Sequence, residues 1–219
     1  MILYDYILSP ECYTARLMAA LLGKRFEQVA VDFHPGAEHR GAAFRQINPA
    51  GSIPVLVDGP LTLTEPAAIL NHLVADAPEW LGQGPLVQEW LARATHLAAS
   101  LGGARAHEML GQPGDLDRLQ ADGIMWLRIL EAALTEARIN GHAFLTGPAP
   151  TIADIAVFPH VALAPDGGIS LDDYPAIRLW LRAVRSLEGF IEMPGIHRLH
   201  DLSPEPNNEI GGDPVVVSA

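Results

Sequence analysis

A serine and a cysteine lie three positions apart near the start of the chain, at Ser9 and Cys12. They follow the apolar residues 2–8, which are typical of a strand, and precede a segment with helical spacing that runs to Gly23. A serine hydroxyl at a helix start can donate a hydrogen bond to a sulfur and so favour the reactive thiolate. A cysteine in the first helical turn has its own thiolate favoured by the helix dipole. This turn is therefore a candidate for thiol chemistry, through either residue.

Both residues also have ordinary structural explanations. Serine is among the preferred N-cap residues, and Ser9 is in a position to cap the helix that follows. An unpaired cysteine is often buried as a small hydrophobe, which would place Cys12 on the inner face of that helix. Taken alone, the residues leave these alternatives open.

The first part of the chain predicts a small α/β unit, because strand and helix patterns alternate through it. The segments run in the order strand 2–8, helix 12–23, strand 26–33, helix 42–47, strands 55–57 and 61–63, and helix 65–74. Pro54 suits a strand start because it cannot donate a ladder hydrogen bond. Asp58-Gly59 is a hairpin signal. The predicted order is thus βαβ, a connecting helix, and ββα.

The second part of the chain predicts helices only. Residues 76–85 are rich in Pro and Gly and have the character of a linker. Long amphipathic segments follow at 86–110 and 116–139, and further helices begin at Thr151 and Tyr174. The predicted fold class is α/β plus all-α. The expected boundaries are 1–77 for the first domain, 86–202 for the helical domain, and 203–219 for a flexible tail.

Charge and composition exclude several classes of partner. The formal net charge is −12, with 26 acidic against 14 basic side chains. Such a chain repels phosphate backbones and anionic membranes, so neither nucleic acid nor a membrane surface is expected as a partner. An anionic ligand would need a local positive pocket.

The cysteine and histidine content argues against a metal site and against disulfides. The single cysteine excludes an internal disulfide and a multi-cysteine metal cage. His197 and His200 could share a helix face, but two histidines near a mobile tail are more simply solvated. The N-terminus lacks both the basic region and the long apolar stretch of a signal peptide. We therefore expect a cytoplasmic protein without a bound metal.

Three separated motifs resemble those of the cytosolic glutathione transferase superfamily, in particular its theta- and delta-like bacterial members. Residues 8–12 are similar to the family's serine motif, and residues 48–56 to the segment that ends in its cis-proline. Residues 151–156 look like the capping box of its central helix. The resemblance spans the chain to about residue 199. It implies a thioredoxin-like first domain followed by an all-helical domain.

The resemblance also implies a glutathione site. Ser9 would be the activating hydroxyl, while Ile53 and Pro54, preceded by Ser52, would present backbone groups to the cysteinyl part of the peptide. His39 corresponds to the histidine that meets the glycyl carboxylate, with Arg40 beside it as a further candidate. Glu65 corresponds to the acidic residue that faces the γ-glutamyl group. The family has a serine next, but this chain has Pro66, which offers neither a hydroxyl nor an N–H, so weak glutathione binding is expected.

The activity implied is attack of the glutathione thiolate on an apolar electrophile, as in detoxification. The family takes its electrophile pocket from the first long helix of the second domain, which here offers Arg93, His96, Ser100 and His107. One alternative is a thiol–disulfide or reductive enzyme that uses Cys12. Another is a non-catalytic member that binds an apolar ligand or a protein partner. In each case the resemblance implies a homodimer.

Overall fold

A four-stranded mixed sheet forms the centre of the first part of the chain, in a computed structural model that describes residues 1–198. The strands are β1 (Ile2–Asp5), β2 (Glu27–Ala30), β3 (Val55–Asp58) and β4 (Leu61–Leu63), in the spatial order β2-β1-β3-β4. β2 is parallel to β1, while β3 is antiparallel to both of its neighbours. The parallel pair requires a crossover, which the first helix supplies.

Three helices cover this sheet: α1 (Pro10–Leu21), α2 (Ala42–Ile47) and α3 (Pro66–Leu73). Successive side chains of β1 point to opposite faces. Leu3 packs into the main core with α1 and α3, whereas Tyr4 packs on the other face against Phe44 of α2. The predicted thioredoxin-like arrangement is confirmed.

The rest of the described chain is helical, as the sequence pattern predicts. Its helices are α4 (Leu86–Leu97), α5 (Gly103–Leu110), α6 (Leu116–Ile139), α7 (Ile152–Ala162) and α8 (Pro175–Arg185). A π-helical segment, Ala98–Gly102, joins α4 to α5 without a break in the helical backbone. Residues 199–219 lie outside the described residues, and with them His200 and the predicted tail.

One continuous apolar core connects the two parts of the chain. Helix α7 is buried along almost its entire length and packs against α4 and α1. A single cluster of buried side chains runs from Leu3 and Leu17 in the first part to Val157 and Trp180 in the second. Burial on this scale holds the two parts in a fixed relative position, which a site between them requires.

Two predicted strands end earlier in the structure, and one predicted helix is interrupted. The first strand stops at Asp5 rather than at residue 8, because the Ser9 N–H donates to the Tyr6 carbonyl at 2.9 Å and turns the chain. The second stops at Ala30 rather than at residue 33, because the Phe33 N–H donates back to Val31 at 2.7 Å. The predicted helix 86–110 is interrupted by the π-helical segment. In residues 1–198, no helix is both long and apolar enough to cross a bilayer.

Candidate active site

A cavity of about 590 Å³ opens between the two parts of the chain. The start of α1 forms its floor, and the loops before and after α2 form one side. The π-helical segment and the beginning of α5 form the opposite wall. We refer to it as the larger cavity. Its position brings the residues of the serine motif and of the cis-proline segment into one space.

Ser9 lies on the floor of this cavity as the N-cap of α1. Its hydroxyl accepts a hydrogen bond from the Cys12 N–H at 3.1 Å, which caps the helix, and donates to Glu11 Oε2 at 3.0 Å. The side chain is 8% exposed, so the oxygen meets the cavity at its edge. Both the capping role and a position facing a ligand are therefore present in one residue.

Cys12 is buried below this floor and does not line the cavity. Its Sγ accepts a weak hydrogen bond from the Tyr6 N–H at 3.5 Å. Burial raises the pKa of the thiol far above its ordinary value, and the nearby Asp5 carboxylate acts in the same direction. The helix dipole does not offset this desolvation, so Cys12 is a neutral core residue at physiological pH.

The segment after α2 is held rigid beside the cavity. Asn48 is buried, and its amide donates to the Ser52 carbonyl at 2.8 Å and to the Ser52 hydroxyl at 2.9 Å. Gly51 has φ +68°, and a Cβ there would lie 2.8 Å from the His39 carbonyl, so only glycine fits. The Ile53–Pro54 peptide bond is cis, and Ser52 and Ile53 line the cavity.

His39 lies at the cavity edge, packed against a neighbouring aromatic ring. Its ring stacks on Phe33 with centroids 4.1 Å apart, and its Nδ1 has no hydrogen-bond partner within residues 1–198. Burial lowers the pKa of His39, and the charges of Arg40 and Arg45 lower it further. Positive charge at this end of the cavity comes instead from the exposed Arg40 and Arg45. Arg45 was missed from the sequence because nothing marks it among other helical arginines.

A second cavity of about 230 Å³ lies next to the first, and we refer to it as the smaller cavity. The two share Glu11 and Ala98 in their linings. Glu65 and Pro66 line the smaller cavity, at the N-cap and first position of α3. The Glu65 side chain makes no capping hydrogen bond, so its carboxylate is free for a ligand. The two cavities thus form a connected pair along the start of α1.

The four predicted electrophile-binding residues line neither cavity. Arg93 pairs with Glu89 and lies over the Trp90 ring, and His96 stacks on Trp126. Ser100 donates to the His96 carbonyl at 2.7 Å, and the His107 Nδ1 pairs with the Gln112 carbonyl at 3.0 Å. Arg93 and His96 lie on α4 before the π-helical segment, whereas Ser100 lies within it and His107 follows it on α5. A π-helical turn holds more residues than an α-helical turn, so residues on its two sides do not follow simple α-helical spacing.

Small side chains form the cavity wall instead. The residues that contribute are Ala98, Ala99, Gly102, Gly103 and Ala106. One large polar residue, Arg105, joins them. It is buried, donates to the Leu8 carbonyl at 2.9 Å and pairs with Asp166 at 3.0 Å, so it connects α5 to the loop before Ser9. Sequence reasoning missed it because its partners are distant in the chain.

The geometry favours a ligand that has a reactive group at Ser9 and an anionic group near Arg40 and Arg45. Residues 1–198 contain no group of three or more His, Cys, Asp or Glu side chains that could hold a metal ion. The polar groups that line the larger cavity include the Ser9 hydroxyl, the Glu11 carboxylate and the segment of Ser52 and Ile53. They also include the guanidinium groups of Arg40, Arg45 and Arg105. This set fits a peptide-like ligand.

Comparison with known proteins agrees with this geometry. Residues 1–75 match the family model for the glutathione S-transferase N-terminal domain. The chain is 31% identical to human glutathione S-transferase theta-1 over 201 residues, which cover 85% of this chain and 83% of that protein. It is 30% identical to the maleylacetoacetate isomerase of Pseudomonas aeruginosa over 188 residues, which cover 80% of this chain and 87% of that one.

Solved structures give the same result at the level of the whole chain. A glutathione S-transferase from Pseudomonas fluorescens superposes with a TM-score of 0.79 and 30% sequence identity. The match covers 88% of this chain and 98% of that structure. The similarity therefore extends through the helical region, beyond the part matched by the family model.

Proposed function

Because the chain belongs to the glutathione S-transferase family, we propose that it activates the thiol of glutathione for attack on an apolar electrophile. The observation that carries this proposal is the position of the Ser9 hydroxyl, at the start of α1 on the floor of the larger cavity. A hydroxyl there lies within reach of a bound sulfur and beside the positive end of a helix dipole. A role in detoxification and a cytoplasmic location follow the same family assignment.

Glutathione would occupy both cavities. Its cysteinyl backbone would pair with Ile53, which precedes the cis-proline Pro54. Its glycyl carboxylate would meet Arg40 and Arg45, with His39 and Ser52 as neutral neighbours. Its γ-glutamyl end would reach Glu65 and Pro66 in the smaller cavity. The small residues of the π-helical segment would leave room for the electrophile.

The alternative chemistry at Cys12 has less support. A mixed disulfide needs an accessible thiolate, but this thiol is buried, outside the cavity and held neutral by desolvation. The non-catalytic alternative rests on Pro66 alone.

Calorimetric titration with reduced and with oxidised glutathione, followed by an activity assay with an aromatic halide, distinguishes the three functions. Binding with turnover supports a transferase, and binding of the disulfide alone supports a reductive enzyme that uses Cys12. Absence of binding contradicts both enzymatic functions.

Arg45→Ala should weaken glutathione binding by about tenfold at low salt, because a charge-assisted hydrogen bond to the glycyl carboxylate is lost. The loss should shrink as salt screens the exposed guanidinium. Calorimetric titration at two ionic strengths measures both effects. Arg128→Ala, which removes another exposed charge, on α6, is the matched control. Equal behaviour of the two variants would contradict the placement of the carboxylate.

Pro66→Ser should tighten glutathione binding by about tenfold to a hundredfold. Proline suits the first position of α3 but removes one N–H donor from the helix start, where an anion would bind. Serine restores the N–H and adds a hydroxyl, and a hydrogen bond to a charged group contributes about 1.5 to 3 kcal/mol. Pro66→Ala restores the N–H alone and should recover part of the gain. A parent that binds at low micromolar concentration, with no gain in Pro66→Ser, would place the γ-glutamyl carboxylate elsewhere.

We expect the protein to be a homodimer with two-fold symmetry. The family implies it, and light scattering at micromolar concentration tests it. The expected mass is twice the 23.5 kDa of one chain. A mass of one chain across the accessible concentration range would contradict the expectation.

A further inference from the structure

Ser9 does not have a free proton to offer in this structure. A hydroxyl has one donor and two acceptor positions, and Ser9 uses its donor on Glu11 Oε2 at 3.0 Å. One acceptor position is used by the Cys12 N–H at 3.1 Å. To stabilise a thiolate, the hydroxyl must donate to sulfur instead and give up its hydrogen bond to Glu11. A group in the bound state that competes for the Glu11 carboxylate would favour this exchange.

The smaller cavity contains the groups for such a competitor. Glu11 and Glu65 both line it, and in residues 1–198 neither carboxylate takes part in an ion pair. His160 of α7 also lines it, is 4% exposed, and has an Nδ1 without a hydrogen-bond partner in the described chain. The nearby cation, Arg105, already pairs with Asp166. Two carboxylates and a buried nitrogen thus surround a space with no cation of its own.

Burial and the charge of Arg105 hold the pKa of His160 below its ordinary value, while Glu11 acts in the opposite direction. The imidazole is consequently neutral near pH 7 and offers one acceptor nitrogen. An ammonium group has three donors and no acceptor. Glu11, Glu65 and His160 together offer acceptors on three side chains, and the two carboxylates supply the negative charge that attracts an ammonium.

We propose that the smaller cavity binds the α-ammonium group of glutathione, and that this ammonium draws Glu11 away from Ser9 so that the hydroxyl donates to the sulfur. The inference rests on the proposed function and adds Glu11 and His160 to it. Glu11 lines both cavities, so the same carboxylate can bind the ammonium in the smaller cavity and give up its hydrogen bond to Ser9 in the larger cavity. No proton leaves the protein in this step. One hydrogen bond of Ser9 is exchanged for another.

The test compares glutathione with desamino-glutathione, which lacks only the ammonium. The thiol pKa of each bound peptide is measured from the ultraviolet absorbance of the thiolate during a pH titration. In the parent protein, the desamino peptide should show a thiol pKa higher by about one to two pH units, since Ser9 remains held by Glu11. In Glu11→Gln this difference should disappear, because the amide competes only weakly for the hydroxyl. Glu108→Gln, an exposed neutralisation on α5, should behave as the parent.

His160→Gln supplies a second measurement, on affinity. Glutathione should bind about tenfold more weakly, while the affinity for desamino-glutathione should not change. A thermal melt confirms that the variant is folded. Methylammonium added to the parent with desamino-glutathione should lower the thiol pKa again, which would show that a free amine can take the same place.

These measurements distinguish a failure of this inference from a failure of the proposed function. If neither peptide binds the parent, the proposed function is wrong and this inference falls with it. If both peptides bind the parent with the same thiol pKa, the function stands but the ammonium does not control Ser9. If the difference persists in Glu11→Gln, the ammonium acts on the sulfur through space and Glu11 has no part in it.

Discussion

Asp154→Ala should lower the free energy of unfolding by about 4 kcal/mol, more than a helix cap alone would explain. The carboxylate is fully buried and accepts four hydrogen bonds. The donors are the Thr151 N–H at 2.9 Å, the Thr151 hydroxyl at 3.2 Å, the Leu145 N–H at 2.9 Å and the Trp180 Nε1–H at 2.8 Å. Alanine would leave several of these donors buried and unsatisfied. Urea unfolding measures the change.

Two further variants isolate the cause of this loss. Thr151→Ala removes the hydroxyl and the γ-methyl group but leaves the Asp154 carboxylate in place, and it should cost about 1 kcal/mol. Trp180→Phe keeps a ring in the core and removes one donor, so in the Asp154→Ala background it should cost clearly less than in the parent. Burial raises the pKa of Asp154, whereas its four donors act in the opposite direction. If Asp154→Ala costs no more than Thr151→Ala, the residue is a simple cap and the wider network is not stabilising.

Ser9→Ala should reduce turnover by about thirtyfold to a hundredfold, with a smaller rise in the glutathione dissociation constant. The hydroxyl contact is stronger to a thiolate than to a thiol, and a hydrogen bond to a charged group contributes about 2 to 3 kcal/mol. Steady-state kinetics with an aromatic halide and calorimetry with glutathione measure the two quantities. The variant also loses the cap of α1, so its melting temperature should fall.

Matched variants separate catalysis from capping. Ser9→Asp retains an N-cap acceptor but has no hydroxyl to donate, so it should restore helix stability without restoring turnover. Cys12→Ala alters the same turn from inside the core and should leave most of the turnover intact. Unchanged turnover in Ser9→Ala, together with inactivity of Cys12→Ala, would move the activation to the cysteine.

Local signals predicted the fold well because each acts over a few residues. The Asp58-Gly59 turn joins β3 to β4, and the pattern of residues 116–139 gives both ends of α6. Pro54 precedes β3, as a residue without a donor should, and Asp154 bonds back to Thr151 at the start of α7. The predicted strand ends were less accurate, because the turns at Tyr6 and Phe33 depend on hydrogen bonds that the residue types do not reveal.

The candidate site was only partly predictable, because its remaining parts depend on tertiary position. Ser9 and Ile53 fall in recognisable motifs, and both line the larger cavity. The neutral state of His39 follows from its burial against Phe33, which the sequence does not reveal. Arg105 and His160 matter through partners that are far away in the chain. Their types alone would equally suit a solvated helix face or a core.

The π-helical segment Ala98–Gly102 bears on how this binding surface can change over generations. A π-helical turn in a long helix is what one inserted residue leaves behind, and a deletion in the segment would restore the α-helical register. Because the wide turn holds the extra residue, that deletion would leave α4 and α5 in register and change which side chains of the segment itself face the cavity. A single codon gained or lost here would therefore alter the wall contacts made by this segment. Substrate preference could then shift in one genetic step while α1 and its serine stay unaltered.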